Sequence, residues 1–235
     1  MNTFLFDLDG TLLPLEEQKF VKTYFDEMHK VFEDIIEKEI FVKYVWTATD
    51  VMRKNEEHKT NMEIFMNKFE ELVGDEIDEY KNRFDDFYDR GFLEVEKAVS
   101  KNDYSVKCIN MLRNKGYTVV LATNPLFPLK AIHHRINWAG LKETDFHHIT
   151  SYETSHFCKP CVNYYEEILS CINKKPEECI MVGNDVQEDL VAGELGLETF
   201  LLENHIINRD EADINCTYRG KYEDLYRFVE NLPAI

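Results

Sequence analysis

From about residue 103 to residue 202, short apolar runs alternate with segments of helical periodicity, and this alternation constrains the fold more than any other feature of the chain. Residues 104–114 read as a helix stopped by Gly116, 118–123 as a strand, 128–138 as a helix and 147–150 as a short strand. Residues 160–172 then read as a helix, 179–182 as a strand, 187–195 as a helix ended by Gly196, and 199–202 as a last strand. Such alternation predicts an α/β fold, a parallel sheet with helices on both faces, because parallel strands need crossovers and the helices cover them. Residues 3–6 add a strand at the start, so the sheet has at least five. In an open sheet of this kind ligands sit beyond the carboxyl ends of the strands, where the strand order reverses.

Between the first strand and residue 93 the pattern is helical throughout. Val21, Tyr24, Phe25, Met28, Phe32, Ile35 and Ile36 keep 3, 4 and 7 spacing and form one apolar stripe. Similar stripes run through Ile64, Phe65, Phe69 and Leu72, and through Tyr80, Phe84, Phe87 and Tyr88. Residues 15–92 therefore read as a markedly acidic bundle of about four helices, inserted into an α/β core made of residues 1–14 and 93–235. The aromatic stripes read as bundle core, with a few members able to face a site.

Chemistry collects at the strand ends. Residues 4–11, Phe-Leu-Phe-Asp-Leu-Asp-Gly-Thr, close the first strand with Asp7 and Asp9, two carboxylates that lean toward one point and so call for a cation. The next strand ends at Thr123 and Asn124. Lys159 precedes Pro160 at a helix start, and the strand 179–182 runs into Gly183, Asn184 and Asp185, with Asp189 following.

This ordered set resembles the haloacid dehalogenase-like superfamily of phosphotransferases, over the first dozen residues and about 100–202. The resemblance implies a Rossmann-like three-layer core with an inserted helical cap of the C1 type emerging directly after the first strand, which is where residues 15–92 lie. It also implies phosphoryl transfer through an aspartyl-phosphate. Asp7 would be the nucleophile, and Asp9 the general acid that protonates the leaving alkoxide and later takes a proton from water. Thr123 would donate to a phosphoryl oxygen with help from Asn124, and Lys159 would pair with Asp7 and the phosphoryl charge. Pro160 fits the first turn of a helix, where its missing N–H costs nothing.

Mg²⁺ suits the implied chemistry, since a carboxylate attacks a phosphate dianion only once charge is neutralised. The implied metal set is Asp7, Asp9, Asn184 and Asp185. Asn184 stands where family members carry an Asp, so either its amide oxygen or a shifted Asp185 completes the set. Asp189 would orient Lys159 or Asn184 from behind. Asp9 also separates branches of the family, because haloacid dehalogenases lack an acid there, halide departure needing no proton.

Composition narrows the partners. At 235 residues with 44% hydrophobic and 13% aromatic residues the chain is globular. A net charge of −18 without a basic patch argues against nucleic-acid polymers and anionic membranes and leaves a small phosphorylated metabolite compatible. The start of the chain has no basic region before its apolar run, which Asp7 soon interrupts, so neither a signal peptide nor a membrane span is expected.

Six cysteines at 108, 158, 161, 171, 179 and 216 lack metal-finger spacing and fit reduced thiols in a cytoplasmic protein. Cys158 and Cys161 form a C-x-x-C pair, but it lies late in the pattern rather than after a first strand, and Lys159-Pro160 between them already has an assignment. The adjacent pairs His133-His134 and His147-His148 point in divergent directions and make poor chelates; His156, in the loop before Lys159, is a loop histidine.

The leading expectation is a Mg²⁺-dependent phosphatase for a small phosphomonoester. The alternative is a phosphomutase of the β-phosphoglucomutase type. A non-catalytic binding protein, suggested by Asn184, and a dehalogenase stand behind these. Lys43, Arg53 and Lys54 are candidates for meeting a second anionic group on the substrate, and the sequence assigns no oligomeric state.

Overall fold

The computed structural model describes residues 1–235, and six parallel strands organise it. In chain order they are β1 (Thr3–Phe6), β2 (Thr118–Leu121), β3 (His148–Ile149), β4 (Cys179–Gly183), β5 (Glu198–Leu202) and β6 (Tyr218–Gly220). Their spatial order is β3-β2-β1-β4-β5-β6, so the order reverses between β1 and β4. Leu5 sits opposite Val120 on one side and Met181 on the other, which fixes the register at the centre of the sheet.

Period-two alternation divides the sheet into two dry faces. Phe4, Phe6, Val119, Leu121, Ile180 and Val182 belong to a cluster of 41 buried residues. Leu5, Val120, Cys179 and Met181 point the other way, into a cluster of 12 against α7 (Val162–Ile172). The larger cluster lies against α5 (Asp103–Asn114), α6 (Leu129–Trp138) and α8 (Tyr222–Asn231), and continues without a break into the inserted helices.

Those helices are α1 (Glu17–His29), α2 (Lys38–Arg53), α3 (Asn61–Val73) and α4 (Ile77–Asp89), followed by a 3-10 stretch at Gly91–Ala98. Helix α3 begins at a capping box in which Thr60 and Glu63 satisfy each other's backbone N–H groups. The stripe from Val21 to Ile36 is not one helix: α1 stops at His29, and the chain turns so that Phe32 stacks on Phe41 of α2 with ring centroids 4.4 Å apart. Phe92 in turn stacks on Trp138 of α6 at 5.1 Å, joining the inserted helices to the sheet layers.

Three other expectations shift. Helix α7 starts at Val162 with Cys161 as its cap, so Pro160 lies in the turn before the helix, after a cis Lys159-Pro160 peptide, and not in its first turn. The expected helix over 187–195 is instead a 3-10 stretch at Leu190–Leu195. There the Asp185 side chain accepts from the backbone of Gln187 and Glu188, Asp189 folds back toward Lys159, and Gly193 weakens any longer helix. Strand β6 and helix α8 extend the pattern past residue 202, where the sequence offers no motif. No helix is long and apolar enough to cross a membrane.

Candidate active site

Strand β1 ends at Phe6, yet its ladder continues one residue further, the Asp7 N–H donating to the Val182 carbonyl at 2.9 Å. Asp7 is therefore held at the reversal of strand order by backbone bonds, and its side chain emerges over the carboxyl edge. Lys159 reaches it from the turn before α7, its Nζ donating to Asp7 Oδ1 at 3.0 Å and to Asp189 Oδ1 at 2.6 Å. The other oxygen of Asp189 accepts from the Asp185 N–H at 2.9 Å. Lys159 and Asp189 are both buried, so two carboxylates share one desolvated ammonium. Burial pushes the Asp7 carboxyl upward, with Asp189 and Asp9 adding to the rise, while the Lys159 ammonium beside it works the other way and favours the charged form. Burial works against the Lys159 charge, and Asp189 and Asp7 together more than restore it.

Two glycines make this closeness possible. A Cβ on Gly183 would come within 2.0 Å of Asp189 Oδ2, so any larger residue displaces the carboxylate that holds Lys159. Gly10 turns the chain after Asp9 at φ +82°, and a Cβ there would meet the Asn184 amide at 2.5 Å.

Asp9 has a different partner. Arg135 of α6, fully buried, donates Nη1 to Asp9 Oδ2 and lies with its guanidinium 4.3 Å from the centroid of Phe127. The pair is half satisfied: Asp9 Oδ1 and Arg135 Nη2 are both buried without a hydrogen-bond partner. Burial raises the Asp9 carboxyl, opposed by Arg135 and then Lys159.

Thr123 ends the extension of β2. Its carbonyl accepts from Tyr164 Oη at 2.8 Å and Thr150 Oγ1 at 2.7 Å, which pins the loop and leaves the hydroxyl facing the cleft. Asn124 ties three loops together: its Oδ1 accepts from the Lys159 N–H at 3.3 Å and its Nδ2 donates to Glu188 at 3.0 Å.

Asn184 and Asp185 follow β4. The Asn184 Oδ1 accepts from Thr11 Oγ1 at 2.9 Å while its Nδ2 donates to the His205 carbonyl at 2.7 Å. Both Asp185 oxygens are engaged, one by the Gln187 and Glu188 N–H groups, the other by Arg209 at 2.5 Å.

No three His, Cys, Asp or Glu side chains stand close enough to hold a metal on their own. The donors facing the cleft are nevertheless all oxygen, as a hard cation prefers: Asp7, Asp9 with its orphaned Oδ1, and the Asn184 amide, whose only competitor is a rotatable hydroxyl. The fit is to a hard divalent ion with fewer carboxylates than usual, and Asp185 is the member of the expected set that the structure directs elsewhere.

The sequence reading missed Arg135, Glu188 and Arg209. Only Arg135 left a signal, a charge on the otherwise apolar face of Ala131, Ile132 and Ile136, where a buried cation requires an acid. The histidines stay out of the cleft: His133 pairs with Glu143 at 3.2 Å, and His156 with Glu167 at 2.5 Å. Cys158 is buried, accepts from Asn61 at 3.3 Å, and has its thiol pushed up to about 12 by burial, the opposite of a reactive redox thiol.

The paired carboxylates, the hydroxyl, the lysine and the amide converge at the strand-order reversal of a three-layer parallel fold, where open α/β sheets carry their sites. The chain belongs to the haloacid dehalogenase-like hydrolase family, whose model matches residues 1–195. It is 25% identical over 194 residues to the pyrophosphatase PpaX of Bacillus cereus, covering 83% of this chain and 79% of that one. Among solved structures it is similar to a HAD phosphatase from Thermococcus onnurineus (TM-score 0.62, 17% identity, all of both chains). It is also similar to the HAD-hydrolase YfnB from Bacillus subtilis, described as bound to magnesium (TM-score 0.58, 21% identity, 98% of this chain and 99% of that one). The protein is thus an enzyme, a hydrolase of the phosphatase type.

Proposed function

We propose that the protein is a cytoplasmic, Mg²⁺-dependent phosphatase that hydrolyses a phosphomonoester through an aspartyl-phosphate on Asp7. The observation that carries this reading is the Asp7–Lys159–Asp189 chain at the strand-order reversal, a desolvated nucleophile held in place by one cation. Asp7 attacks phosphorus while Lys159 draws off its charge; the P–O bond to the alcohol breaks, and Asp9 delivers the proton that the departing oxygen needs. Thr123 Oγ1 and the Asn124 N–H donate to the transferring phosphoryl group. Asp9 then removes a proton from water as it attacks the acyl-phosphate, freeing Asp7 and inorganic phosphate. Asp189 keeps Lys159 aimed at Asp7 throughout. Asp7, Asp9 and Asn184 would hold Mg²⁺, with Asp185 committed to its turn and to Arg209. The ion, when bound, supplies Lewis-acid charge neutralisation at the phosphoryl oxygens. Six free cysteines support a reducing compartment.

The test is release of inorganic phosphate from a panel of phosphomonoesters and pyrophosphate, with Mg²⁺ and with chelator. Asp7→Asn is expected to abolish turnover. Full activity in that variant would overturn the reading, and isomerised sugar phosphate in place of free phosphate would replace it with a mutase.

A further inference from the structure

Above Asp7 and Asp9 the cleft opens into a cavity of about 730 Å³ between the inserted helices and the sheet edge. Sites that hold drug-sized ligands span roughly 300–1,000 Å³, so this one holds far more than a phosphoryl group and a two-carbon acid. Its walls are aromatic. Phe25, Trp46, Phe65, Phe127 and Tyr152 all line it, from α1, α2, α3 and two core loops. The fold does not need all of these rings for its core: Trp46 is 42% exposed, and Phe65, Phe127 and Tyr152 are only half-buried. Trp46 and Phe25 stand 5.6 Å apart at 46°, an open pair rather than a closed stack. Rings left uncovered around a cavity that leads to a reactive centre mark a ligand surface.

Charge narrows the ligand further. The cavity carries four basic residues against nine acidic ones. All four are already paired: Arg53 with Glu188 at 3.5 Å, Arg209 with Asp185 at 2.5 Å, Lys130 with Asp89 at 2.6 Å and Lys81 with Asp78 at 3.6 Å. Lys43 and Lys54, candidates for a second anionic group by sequence, do not line it. A second carboxylate or phosphate would have to displace one of these partners and enter a lining with more than twice as many acids as bases, so the cavity disfavours it.

We propose that the substrate is a phosphomonoester of an alcohol bearing a planar aromatic ring system, neutral or cationic and with no second acidic group, whose ring lies among Trp46, Phe65 and Phe127 while its phosphate reaches Asp7. This rests on the phosphatase reading above. The decisive pair of probes is adenosine 5′-monophosphate and ribose 5-phosphate, which share the same primary-alcohol leaving group and differ by the ring. The expected kcat/KM ratio is roughly tenfold to a hundredfold in favour of the nucleotide, the range of one stacked base on aromatic side chains. Trp46→Ala, at a partly exposed site, lowers that ratio about tenfold and Trp46→Phe preserves it. Phosphoglycolate and pyrophosphate are poor substrates.

Equal turnover of the two probes, or a preference for phosphoglycolate or pyrophosphate, overturns the inference while leaving the phosphatase reading intact; the rings would then be a packing face for closure of the helices over the sheet. Binding separates the other failure. In an Asp7→Asn, Trp138→Phe protein with Mg²⁺, the nucleotide should quench the remaining Trp46 emission and ribose 5-phosphate should not. Selective quenching without wild-type turnover upholds the ligand class and sinks the phosphatase reading. Absence of both sinks both.

Discussion

Asp7 and Asp9 leave the same strand two residues apart, one buried and the other half-buried, and meet opposite solutions to one problem, the pairing of a carboxylate. Asp7 belongs to a closed chain in which Lys159 and Asp189 satisfy each other, all the way back to the Asp185 backbone. Asp9 belongs to an open pair in which one oxygen and one guanidinium nitrogen are buried with nothing to bond. Under the proposed mechanism Asp7 is the nucleophile and must keep one orientation, which a closed network of charge-assisted bonds provides. Under the proposed mechanism Asp9 changes protonation state in each cycle, and its unpartnered oxygen leaves a position for the proton.

The sharpest way to break this contrast is Lys159→Met. Removing the one cation leaves Asp7 and Asp189 buried and uncompensated, with an expected loss of about 3–5 kcal/mol in urea unfolding and no measurable turnover. A loss under about 1 kcal/mol would mean that the chain is not desolvated as described.

Arg135→Met tests the open side. On alkyl phosphates, which need a proton for the leaving group, kcat should fall roughly 10²–10³-fold. On p-nitrophenyl phosphate, whose leaving group needs little help, the fall should stay under about tenfold. Equal losses on both esters would assign Arg135 to the nucleophile or to the fold rather than to Asp9.

Gly183→Ala perturbs the closed chain from behind. Its Cβ would stand 2.0 Å from Asp189 Oδ2, so Asp189 or the strand must move. About 1–3 kcal/mol of stability should be lost, and turnover with it, as overpacking of a buried position predicts. Wild-type stability and rate would show that Asp189 has somewhere else to go.

The smallest effect concerns thiols and checks that the buried core behaves as a dry interior away from the charged pairs. Burial raises Cys108 and Cys158 to about 12. The folded state therefore keeps protons that the unfolded chain releases above pH 9, and stability should fall as pH rises from 9 toward 12. Each thiol lowers stability by roughly 1.5–2 kcal/mol at pH 10 relative to pH 8. Urea unfolding of wild type and Cys108→Ala at pH 8 and pH 10 reads this directly. The same protons should leave Cys158 unreactive toward iodoacetamide at pH 8 in the folded protein.

The contrast also divides what the sequence reveals from what it hides. Asp7, Thr123, Asn124, Asn184 and Asp185 follow apolar runs, so strand periodicity gathers them at one edge, and Lys159 joins them from the turn before α7. Asp189 is reached only through the family resemblance, as a second acid after Gly183, and the structure sets it against Lys159. Arg135 was not legible, since its bond to Asp9 spans 126 residues and depends on how α6 packs, which no local pattern encodes. Tertiary contacts also decide the 3-10 stretch after Asp189: its residues suit a helix, but the pull of Lys159 on Asp189 and the capping by Asp185 tighten the turn. The aromatic stripes of the inserted helices were read as core, and most are. The period of a helix shows which residues share a face, not how much of that face a neighbour covers, and so Trp46 could not be told from Phe41.

The central place of β1 has a consequence for how the molecule comes into being. Its two neighbours are β2 and β4, and the ammonium that steadies Asp7 lies 152 residues downstream. A chain growing from its N-terminus can offer the first strand its β2 partner only after residue 121, and its β4 partner and Lys159 later still, so Asp7 waits without its cation. Long-range pairing of this kind slows folding, because loop closure precedes every contact that rewards it. Charges flanking an apolar strand disfavour its self-pairing, and Asp7 and Asp9 stand at the end of β1 where that protection applies.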